Sequence, residues 1–584
     1  MEMTLRKNYW WMIPALIAGI LYFNSLKGSF FWDDKQQILE NYTAKSFSKA
    51  FSAFAPYFWN NETTSTKGQY RPLRNITFAF DYGVWGANPY GYHLTNYMLN
   101  ILAVYLFCVL SRELSASSRT ALFSGMLFSA YPMHVESVTY IKNRSDVICM
   151  VFILLAFIMF IKERHGWALL AYALALISKE MALVFPAAAV LYLIYRKRSG
   201  EILGKTWPYF ALAAGFALFK IFFLRSQTGE IFSGIPGVSQ PMLALSTLCN
   251  YIQISLLPLV FNIERELQTI SSLPGWQLLV TGLASALVLF AAIRSKNREM
   301  NLFFIAWFIL FLVPVMNILP IAGRLIAEQR LYIPSAGLCL LGGSLADEFY
   351  SSGAAGQRMA AALLIGITML FSVKVIQRNE LWKDELLLWD RTAARNPTNT
   401  RVLNNLANVL MERGNYEASE RIFRNVVSLA PDDAAAYGNI GILKQKKGDI
   451  DGAMSDFEKA AALDPGDDRN FANLASAHLM KGDKEKAMEY YGKALKIKPA
   501  SAAVYTNMGI IYAMDKRYNE AAESFKQAVR LNPDMIEARL NLAQVYKELG
   551  LASEAKRELK EAQLRSTNTG LRGYNPRVEL RDRQ

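Results

Sequence analysis

Apolar residues fill the first two thirds of the chain in segments separated by short polar loops. A helix needs about 17–25 residues to cross a bilayer, and about eleven segments approach that length alone or with their flanks. The segments are Trp10–Leu26, His93–Leu110, Thr120–Tyr131, Asp146–Ile161, Trp167–Ile177, Met181–Tyr195, Trp207–Leu224, Trp276–Ile293, Leu302–Leu319, Leu331–Ala346 and Met359–Val375. This pattern predicts an all-α, multi-pass membrane domain.

Basic residues collect at alternate ends of these segments. They include Arg6, Lys7, Arg112, Arg119, Lys162, Arg164, Arg196, Lys197, Arg198, Lys205, Arg294, Lys296 and Arg298. Under the positive-inside rule these ends face the cytoplasm, which predicts a cytoplasmic N-terminus and a C-terminal third outside. The apolar stretch Ala244–Phe261 breaks the alternation if it is counted as a crossing, so we interpret it as re-entrant or interfacial.

The last third of the chain has a repeating pattern. Prolines recur every 34 residues, at Pro397, Pro431, Pro465, Pro499 and Pro533. This period is typical of tetratricopeptide repeats, helix pairs that stack into a superhelix with a concave groove. We therefore predict a membrane domain over residues 1–378, a helical connector over 379–399, five repeats over 400–569 and a basic tail over 570–584.

The connector has an amphipathic helical pattern that contains Trp382 and Trp389. It fits the second helix of an incomplete repeat, whereas a flexible linker would be rich in Gly and Ser. We expect it to dock the repeats on the membrane domain with little slack.

Composition and charge narrow the function classes. The 584 residues carry a formal net charge of +14, but much of the excess lies in the inside-facing loops and the tail, where it orients a membrane protein. Nucleic acid is therefore not an expected partner. The four cysteines, Cys108, Cys149, Cys249 and Cys339, are scattered through apolar segments and predict neither a metal cluster nor a disulfide framework.

Charged residues also stand in the loops that the alternation places outside. They are Asp33, Asp34, Arg71 and Arg74 in the first loop, His134, Glu136, Lys142, Arg144 and Asp146 in the second, Lys179 and Glu180 in the third, and Arg324, Glu328 and Arg330 in the fourth. Taken singly, the aspartates could cap an interfacial helix, and Lys179 with Glu180 could form a local ion pair. Their grouping on one side favours a site, because charges at membrane level usually line a cavity or bind a ligand.

The residue types favour phosphate chemistry. Arg71, Arg144, Lys179, Arg324 and Arg330 suit phosphate oxygens, and adjacent aspartates suit a base or a metal. Transfer of a sugar from a lipid phosphate needs a carboxylate to take the acceptor's proton and cations to stabilise the departing phosphate.

Five motifs precede the repeats in a fixed order: FFWDDKQQILEN, YRPL, YPMHVESVTYIKNRSD, SKE and AEQRLYIPS. In these the chain resembles the transmembrane and tetratricopeptide-repeat O-mannosyltransferases, of the GT-C superfamily of lipid-phosphosugar-dependent glycosyltransferases. The resemblance implies a GT-C membrane domain that transfers mannose, with inversion, from a polyprenyl phosphate to Ser or Thr of extracytoplasmic proteins. The compact chain looks bacterial, which predicts an inner-membrane location with the repeats in the periplasm.

The resemblance also implies residue roles. Asp33 is the expected base, and Asp34 supports it. Other residues match motif positions and are expected at the donor site: His134, Glu136, Arg144, Lys179, Glu180, Glu328 and Arg330. Arg71 and Arg324 are expected there because their charge suits a phosphate. No metal or other cofactor is expected, although His134 and Glu136 could join Asp33 in holding a divalent ion. The expected partners are the lipid-linked sugar, protein or peptide acceptors and membrane lipid.

One column of the repeats is not explained by the helix-packing positions of the motif. Asparagine recurs at the 34-residue step in the first helix of each unit, at Asn405, Asn439, Asn473, Asn507 and Asn541. That helix lines the concave surface, so the amides form a ladder that can hold a peptide backbone. The ladder resembles that of the nucleocytoplasmic O-linked N-acetylglucosamine transferase. The alternative is that these amides bond to neighbouring repeats.

Two other functions remain open from the sequence. A related enzyme could transfer the sugar to a glycan or lipid acceptor, and a membrane-anchored repeat scaffold would have no catalytic site. A scaffold needs only one or two crossings and no outward charged groups, whereas the asparagine column favours a peptide acceptor.

Overall fold

The computed structural model describes residues 9–39, 41, 44–54, 70–223, 238–258, 260–269, 274–318 and 324–568. All regular structure within these ranges is helical, which confirms the all-α prediction. Arg6, Lys7 and the predicted basic tail 570–584 lie outside them, as do Leu224 and Leu319 at the ends of two predicted segments.

Thirteen helices of ten or more residues precede the connector in the described ranges. They are α1 (Ile13–Tyr22), α2 (Pro72–Trp85), α3 (Pro89–Ser115), α4 (Ser118–Ala130), α5 (Arg144–Ile161), α6 (His165–Leu176), α7 (Phe185–Tyr195), α8 (Ile202–Phe223), α9 (Gln240–Leu256), α10 (Gly275–Arg294), α11 (Arg298–Leu312), α12 (Ser335–Tyr350) and α13 (Ala354–Leu381). Turns of 3-10 helix extend several of them; for example, Trp10–Met12 and Phe23–Lys27 flank α1. Each predicted apolar segment overlaps one of these helices.

Six helices in the described residues are long and apolar enough to cross a bilayer. Their ranges are Pro89–Ser115, Ile141–Ile161, Ser199–Phe222, Gly275–Arg294, Arg298–Val315 and Ala354–Leu381, and two shorter apolar helices cover His165–Leu176 and Glu180–Tyr195. On α10 the side chains of Leu279, Leu283 and Leu287 are all exposed. Such an apolar surface is typical of a face that contacts lipid. The chain is therefore a multi-pass membrane protein, and the count of about eleven crossings stays a prediction.

The basic residues expected in the cytoplasm come together at one end of the helix bundle. Lys162 pairs with Glu113 at 2.9 Å, and Arg119 pairs with Asp347 at 2.8 Å. The guanidinium of Arg112 lies 5.1 Å from the ring centroid of Trp11, at the start of α1. This end is called the basic end below, and the loops with the predicted site follow the opposite helix ends.

The apolar stretch interpreted as re-entrant or interfacial contains α9. Near its start, the Gln240 side chain donates to the carbonyl of Asn317, at 2.5 Å. Beyond its end, the amide of Asn262 donates to Glu328, at 2.9 Å. Asn317 and Glu328 both belong to the segment that joins α11 to α12 at the end opposite to the basic end. These contacts fit a helix that begins and ends near the same end of the bundle.

Five helix pairs follow the connector helix α14 (Glu385–Arg395). They are α15 (Thr400–Glu412) with α16 (Tyr416–Leu429), α17 (Ala434–Lys446) with α18 (Ile450–Leu463), α19 (Asp468–Met480) with α20 (Lys484–Ile497), α21 (Ala502–Met514) with α22 (Tyr518–Leu531), and α23 (Ile536–Glu548) with α24 (Ala552–Asn568). They are the predicted tetratricopeptide repeats.

The turn inside a repeat is determined by a few residues. Gly414 and Gly448 adopt φ values of +79° and +85°, a conformation that favours glycine because it has no Cβ. Just after these glycines, the side chains of Asn415 and Asp449 accept hydrogen bonds from the first amides of α16 and α18. This N-cap pairs amides that the helix itself leaves free. The same glycine and cap recur at Gly482 and Asp483.

The connector packs the repeats directly onto the membrane domain. Trp382 and Trp389 are each 1% exposed. The ring of Trp382 stacks on Tyr140 with 5.1 Å between centroids, and Trp389 meets Trp32 edge-on at 5.1 Å. One hydrophobic core includes these tryptophans, the membrane helices and Val402 of the first repeat. The repeats are therefore not attached by a free linker.

Replacing Trp389 should loosen this docking. Trp389→Ala removes a buried indole, a loss worth about 3–5 kcal/mol, so trypsin should cleave after Arg391 and Arg395 several times faster than in the wild type. Leu387 lies on a more exposed face of the same helix, so Leu387→Ala should leave the rate of tryptic cleavage nearly unchanged. Equal cleavage of both variants would contradict the packing role of Trp389.

Candidate functional site

Asp33 lies in the turn that follows the helical stretch of α1, at the end of the bundle opposite to the basic end. Its amide donates to the hydroxyl of Tyr140 at 3.2 Å, and its carboxylate forms an ion pair with the ammonium of Lys142. The Asp33 side chain is 24% exposed. The turn therefore presents an accessible carboxylate beside a cation.

Asp34 is fully buried and closes the turn. Its carboxylate accepts the amides of Phe31 at 3.2 Å and of Lys142 at 2.8 Å. Burial raises the pKa of the Asp34 carboxyl to about 8, although these hydrogen bonds act in the opposite direction. Asp34 thus ties the Asp33 turn to the second outward loop, and its role in catalysis stays a prediction.

Three cations adjoin the two aspartates. Arg71, at the start of α2, donates to the Ser145 hydroxyl at 3.1 Å and pairs with Glu180 at 3.4 Å. Lys142 pairs with Asp33, and Arg74 lies one helical turn after Arg71. Arg74 lies close enough to Lys142, Asp33 and Asp34 for their charges to interact with its own. The structure thus brings the first three outward loops together.

Arg74 differs from the other cations of the site. Its side chain is completely buried, and its only described hydrogen bond is a 3.4 Å contact with the amide oxygen of Asn75. Its Nε and Nη1 atoms have no hydrogen-bond partner among the described residues. Burial, together with the charge of Arg71, lowers the pKa of this guanidinium. A buried cation without a carboxylate is costly, which makes Arg74 a candidate anion ligand.

Arg144, expected at the donor site, is bonded to the protein on all sides. It donates to the side chains of Asn96 at 2.6 Å and Thr77 at 3.1 Å and to the carbonyl of Tyr92 at 2.9 Å. It also pairs with Asp81 at 2.6 Å, and both side chains are fully buried. These contacts join α2, α3 and α5, so Arg144 holds these helices together; its contact with the donor stays a prediction.

Lys179 and Glu180 do not pair with each other. Lys179 forms a buried ion pair with Asp146 of α5, whereas Glu180 pairs with Arg71. The local ion pair considered from the sequence is thus replaced by two contacts with other loops. These contacts link the third outward loop to the first and the second.

Arg324 forms the centre of a second charged group. It pairs with the buried Glu136 at 2.9 Å and lies 3.8 Å from Glu264, and it donates to the carbonyl of Ile263 at 2.6 Å. Arg401 of the first repeat also lies 3.8 Å from Glu264, at the same carboxylate oxygen. The charge of Asp33 acts on Glu264, so this second group lies next to the first, towards the repeats.

Glu328 is a buried anchor. Arg378 of α13 and Arg265 pair with it, the latter at 3.1 Å, and the amide of Asn262 donates to it. Arg378 and Arg265 hold the pKa of Glu328 below its usual value, against the effect of burial. Arg330 donates to the carbonyl of Leu325 at 3.0 Å. A contact of either residue with the donor stays a prediction.

His134 lies away from the charged groups. Its Nε2 is 2.7 Å from the Ser335 hydroxyl, and its ring packs against Phe128, Tyr131 and Tyr332 at centroid distances of 4.5, 5.1 and 4.6 Å. Burial lowers the pKa of the imidazole to about 3. A neutral, enclosed ring thus joins the second loop to α12, and a contact of His134 with the donor stays a prediction.

The possible metal ligands His134 and Glu136 have other partners in the structure. Within the described ranges, no three His, Cys, Asp or Glu side chains form a group that could hold a metal ion. Glu136 faces Arg324, and His134 faces Ser335. Whether the protein needs a metal stays a prediction.

The asparagine column lies along the concave side of the repeats. Asn405, Asn439 and Asn473 line one groove cavity of about 390 Å³, together with Arg401 and Arg469. The side-chain nitrogen of Asn405 is buried and has no hydrogen-bond partner among the described residues. The first three positions of the ladder thus share one polar cavity.

The remaining positions of the column, Asn507 and Asn541, lie in the corresponding helices α21 and α23. Asn507 lies close to the hydroxyl of Tyr491, a residue of the preceding repeat. This position therefore leaves the alternative use, bonding between neighbouring repeats, open.

Several residues of the site were not assigned a role from the sequence. Lys142 stands inside a recognised motif and Arg74 directly follows YRPL. For Arg74, the three-residue step from Arg71 on one helix was the available signal. Glu264, Arg378 and Arg401 lie outside the motifs. Their contribution depends on contacts between distant parts of the chain, which no local pattern shows.

Two kinds of family model match the chain. The model described as dolichyl-phosphate-mannose-protein mannosyltransferase matches residues 85–223. Tetratricopeptide-repeat models match residues 404–468, 445–510 and 512–570. The match to the first family covers α3 to α8, and the repeat matches cover the five helix pairs.

Curated relatives match most of the chain. A protein O-mannosyl-transferase of Caenorhabditis elegans is 26% identical over 72% of this chain and 62% of its own length. Protein O-mannosyl-transferase TMTC3 of Mus musculus is 24% identical over 73% of this chain and 52% of its own length. The chain therefore spans about half to three fifths of the length of these relatives.

Solved structures are similar to the repeats. The protein MamA is 19% identical, with a TM-score of 0.26, over 30% of this chain and 96% of its own. A tetratricopeptide-repeat protein of Thermus thermophilus is 23% identical, with a TM-score of 0.27, over 30% of this chain and 96% of its own. From the family matches and the curated relatives, the predicted resemblance to the transmembrane and tetratricopeptide-repeat O-mannosyltransferases is confirmed over about 72% of the chain.

Proposed function

We propose that the protein is an inverting glycosyltransferase that moves a sugar, mannose in the first instance, from a polyprenyl-phosphate donor to Ser or Thr of extracytoplasmic proteins. The observation that carries the proposal is the position of Asp33. This accessible carboxylate lies between the cations of the first loops and the charged group that leads to the repeats.

The cations provide the donor side. A departing polyprenyl phosphate gains negative charge as the glycosidic bond breaks, and nearby cations stabilise that charge. Arg74 has donors without a partner, and Arg71 and Lys142 are adjacent. The lipid tail of the donor would lie in the bilayer next to this end of the bundle.

Asp33 provides the base. It takes the proton of the acceptor hydroxyl while the oxygen forms a bond to the anomeric carbon of the sugar. The bond from that carbon to the phosphate oxygen breaks, and the polyprenyl phosphate leaves with the electron pair. Attack opposite to the leaving group inverts the anomeric configuration. Asp34 keeps the turn in place through its bonds to Phe31 and Lys142.

The groove provides the acceptor side. The amides of Asn405, Asn439 and Asn473 can donate to and accept from the backbone of an extended peptide without selecting its side chains. The unpartnered nitrogen of Asn405 supports this use, because buried donors in native structures normally find an acceptor. Arg401 lines the same cavity and reaches Glu264, beside the catalytic turn.

Mannosyl transfer to protein is the direct test of the proposed function. Wild-type protein should transfer labelled mannose from polyprenyl-phosphate mannose to an extracytoplasmic protein, and Asp33→Asn should lose at least about a hundredfold in kcat, since the general base is absent. Asp432→Asn, an exposed carboxylate in a repeat turn, is the matched control and should keep wild-type activity.

Other outcomes of this test select another function. Transfer to a glycan or lipid acceptor but to no protein would indicate the alternative function, an enzyme that glycosylates glycans or lipids. A wild type that binds proteins but transfers no sugar from any lipid donor would leave only the scaffold function.

The asparagine ladder should determine the KM for the acceptor. Each lost hydrogen bond is worth about 0.5–1.5 kcal/mol, so combining Asn405→Ala, Asn439→Ala and Asn473→Ala should raise the KM for a protein acceptor about tenfold or more and leave the KM for the donor unchanged. Asn425→Ala, an exposed amide on α16, is the control. An unchanged acceptor KM in the triple variant would show that the column is structural.

Arg74 and Arg144 should respond in opposite ways to substitution by methionine. Arg144→Met leaves Asp81 buried without its cation and should cost about 3–5 kcal/mol, whereas Arg74→Met removes an unpaired buried charge and should be neutral or stabilising by about 1–4 kcal/mol. Thermal unfolding of the purified protein measures both changes.

The KM for the donor separates the two roles further. Arg74→Met should raise this KM, because a phosphate ligand is lost, even though the fold is retained. Similar losses of unfolding temperature in the two variants would contradict the assignment of Arg74 as an anion ligand.

A further inference from the structure

The residue before Asp33 has an unusual backbone. Trp32 adopts φ of +42°, in the left-handed region that bulky side chains rarely occupy. Such a conformation persists only where the surrounding contacts determine it. The contacts around Trp32 therefore decide where the Asp33 carboxylate is held.

Most of these contacts come from the connector and the first repeat. The amide of Trp32 donates to the carboxylate of Glu385, in the first turn of α14, at 3.1 Å. The indole ring meets Trp389 of α14 edge-on at 5.1 Å, and the guanidinium of Arg401, in α15, lies 5.7 Å from the ring centroid. From the membrane domain, Tyr140 stacks on the same ring at 6.3 Å.

The other flank of Asp33 is held in the same way. Lys35 pairs with Glu385 at 3.4 Å and with Glu412 of α15 at 2.9 Å. Glu385 thus contacts both neighbours of the catalytic turn, Trp32 through its amide and Lys35 through its ammonium. Asp33 lies between these two contacts and faces Lys142 of the membrane domain.

We propose that the connector helix and the first repeat complete the catalytic centre, and that Glu385 is a positioning residue that holds Asp33 through the amide of Trp32. This inference rests on the proposed function of Asp33. It makes the repeats part of the active site as well as the acceptor groove, so catalysis on any acceptor depends on them.

Docking alone does not require this contact. The side chains of Asn262 and Asn396 bond at 2.9 Å, Asn399 reaches Glu266 at 3.2 Å, and Trp382 is buried between the domains. These contacts attach the repeats at other places. The bond from Glu385 instead ends on the backbone of the residue that precedes the expected base.

Arg401 connects the catalytic turn with the acceptor groove. It lines the groove cavity with Asn405 and also lies over the ring of Trp32. An acceptor that fills this part of the groove therefore touches a side chain that contacts the catalytic turn. The same geometry places the acceptor segment beyond Arg401 close to Asp33.

The test compares two substitutions of Glu385 with a matched control. Glu385→Gln keeps an oxygen that can accept from the Trp32 amide, whereas Glu385→Ala removes it. Glu380→Gln is the control, because Glu380 pairs with Lys383 and bonds to Asn24. Initial rates are measured with polyprenyl-phosphate mannose and a peptide acceptor too short to occupy more than one repeat.

Glu385→Ala should lower kcat by roughly ten- to a hundredfold, the value of one hydrogen bond to a charged group, with the KM for donor and peptide within about twofold of the wild type. Glu385→Gln should recover most of the loss. Glu380→Gln should match the wild type. The thermal unfolding temperature and the rate of tryptic cleavage in α14 are measured on each variant, so that undocking is recognised separately.

The outcomes distinguish this inference from the proposed function. Wild-type kcat in a docked Glu385→Ala variant overturns the inference alone, as does an equal loss of kcat in the Gln and Ala variants, because the hydrogen bond to Trp32 would then not be responsible. A loss of kcat that is always accompanied by faster cleavage of α14 also overturns it, since Glu385 would then act only in docking. A wild type without transferase activity overturns the proposed function, and with it this inference.

Discussion

Charge buried at one end of an apolar helix bundle is the constraint on which the structure depends. Each buried ion has to be paired, because an uncompensated charge in a low-dielectric interior is costly. The pairs Arg144–Asp81, Lys179–Asp146 and Arg324–Glu136 each join segments that are separate in the sequence. Pairing therefore assembles the site, because these parts of the chain would bury uncompensated charges if they were apart. Arg74 has no carboxylate partner among the described residues, and a bound anion would supply one.

The same constraint explains why the repeats are joined so tightly to the membrane domain. Glu264 lies within reach of both Arg324 and Arg401, and Lys35 reaches Glu385 and Glu412. The charges of the first loop are thus partly satisfied by residues that follow the last membrane helix. Buried Trp382 and Trp389 add apolar contact to this interface. A free repeat domain would leave both the tryptophans and these charges exposed.

Much of this architecture could be predicted from local patterns, and the rest depended on contacts that no local pattern contains. Apolar segments and the 34-residue proline step predicted the helices, and the ordered motifs predicted which loops would meet. The roles of single charged residues were less accessible. Arg144 and His134 occupy motif positions like those of Arg71, but the first is enclosed by Asn96, Thr77 and Asp81 and the second by three aromatic rings. Whether a motif residue faces a ligand or the protein is decided by helices elsewhere in the chain.

In the proposed transfer from a lipid to a protein, a two-sided site also resolves a difficulty. The donor is restricted to the plane of the bilayer, whereas the acceptor arrives from the aqueous side, so the reacting atoms must meet at the boundary between two domains. Asp33 lies at that boundary, with the cations on the membrane side and Glu264 and Arg401 on the repeat side. A base held by the membrane domain alone would be aligned with the donor but not with the acceptor. The turn is held between Tyr140 and Glu385, and in the proposed reaction this would align one carboxylate with both substrates at once.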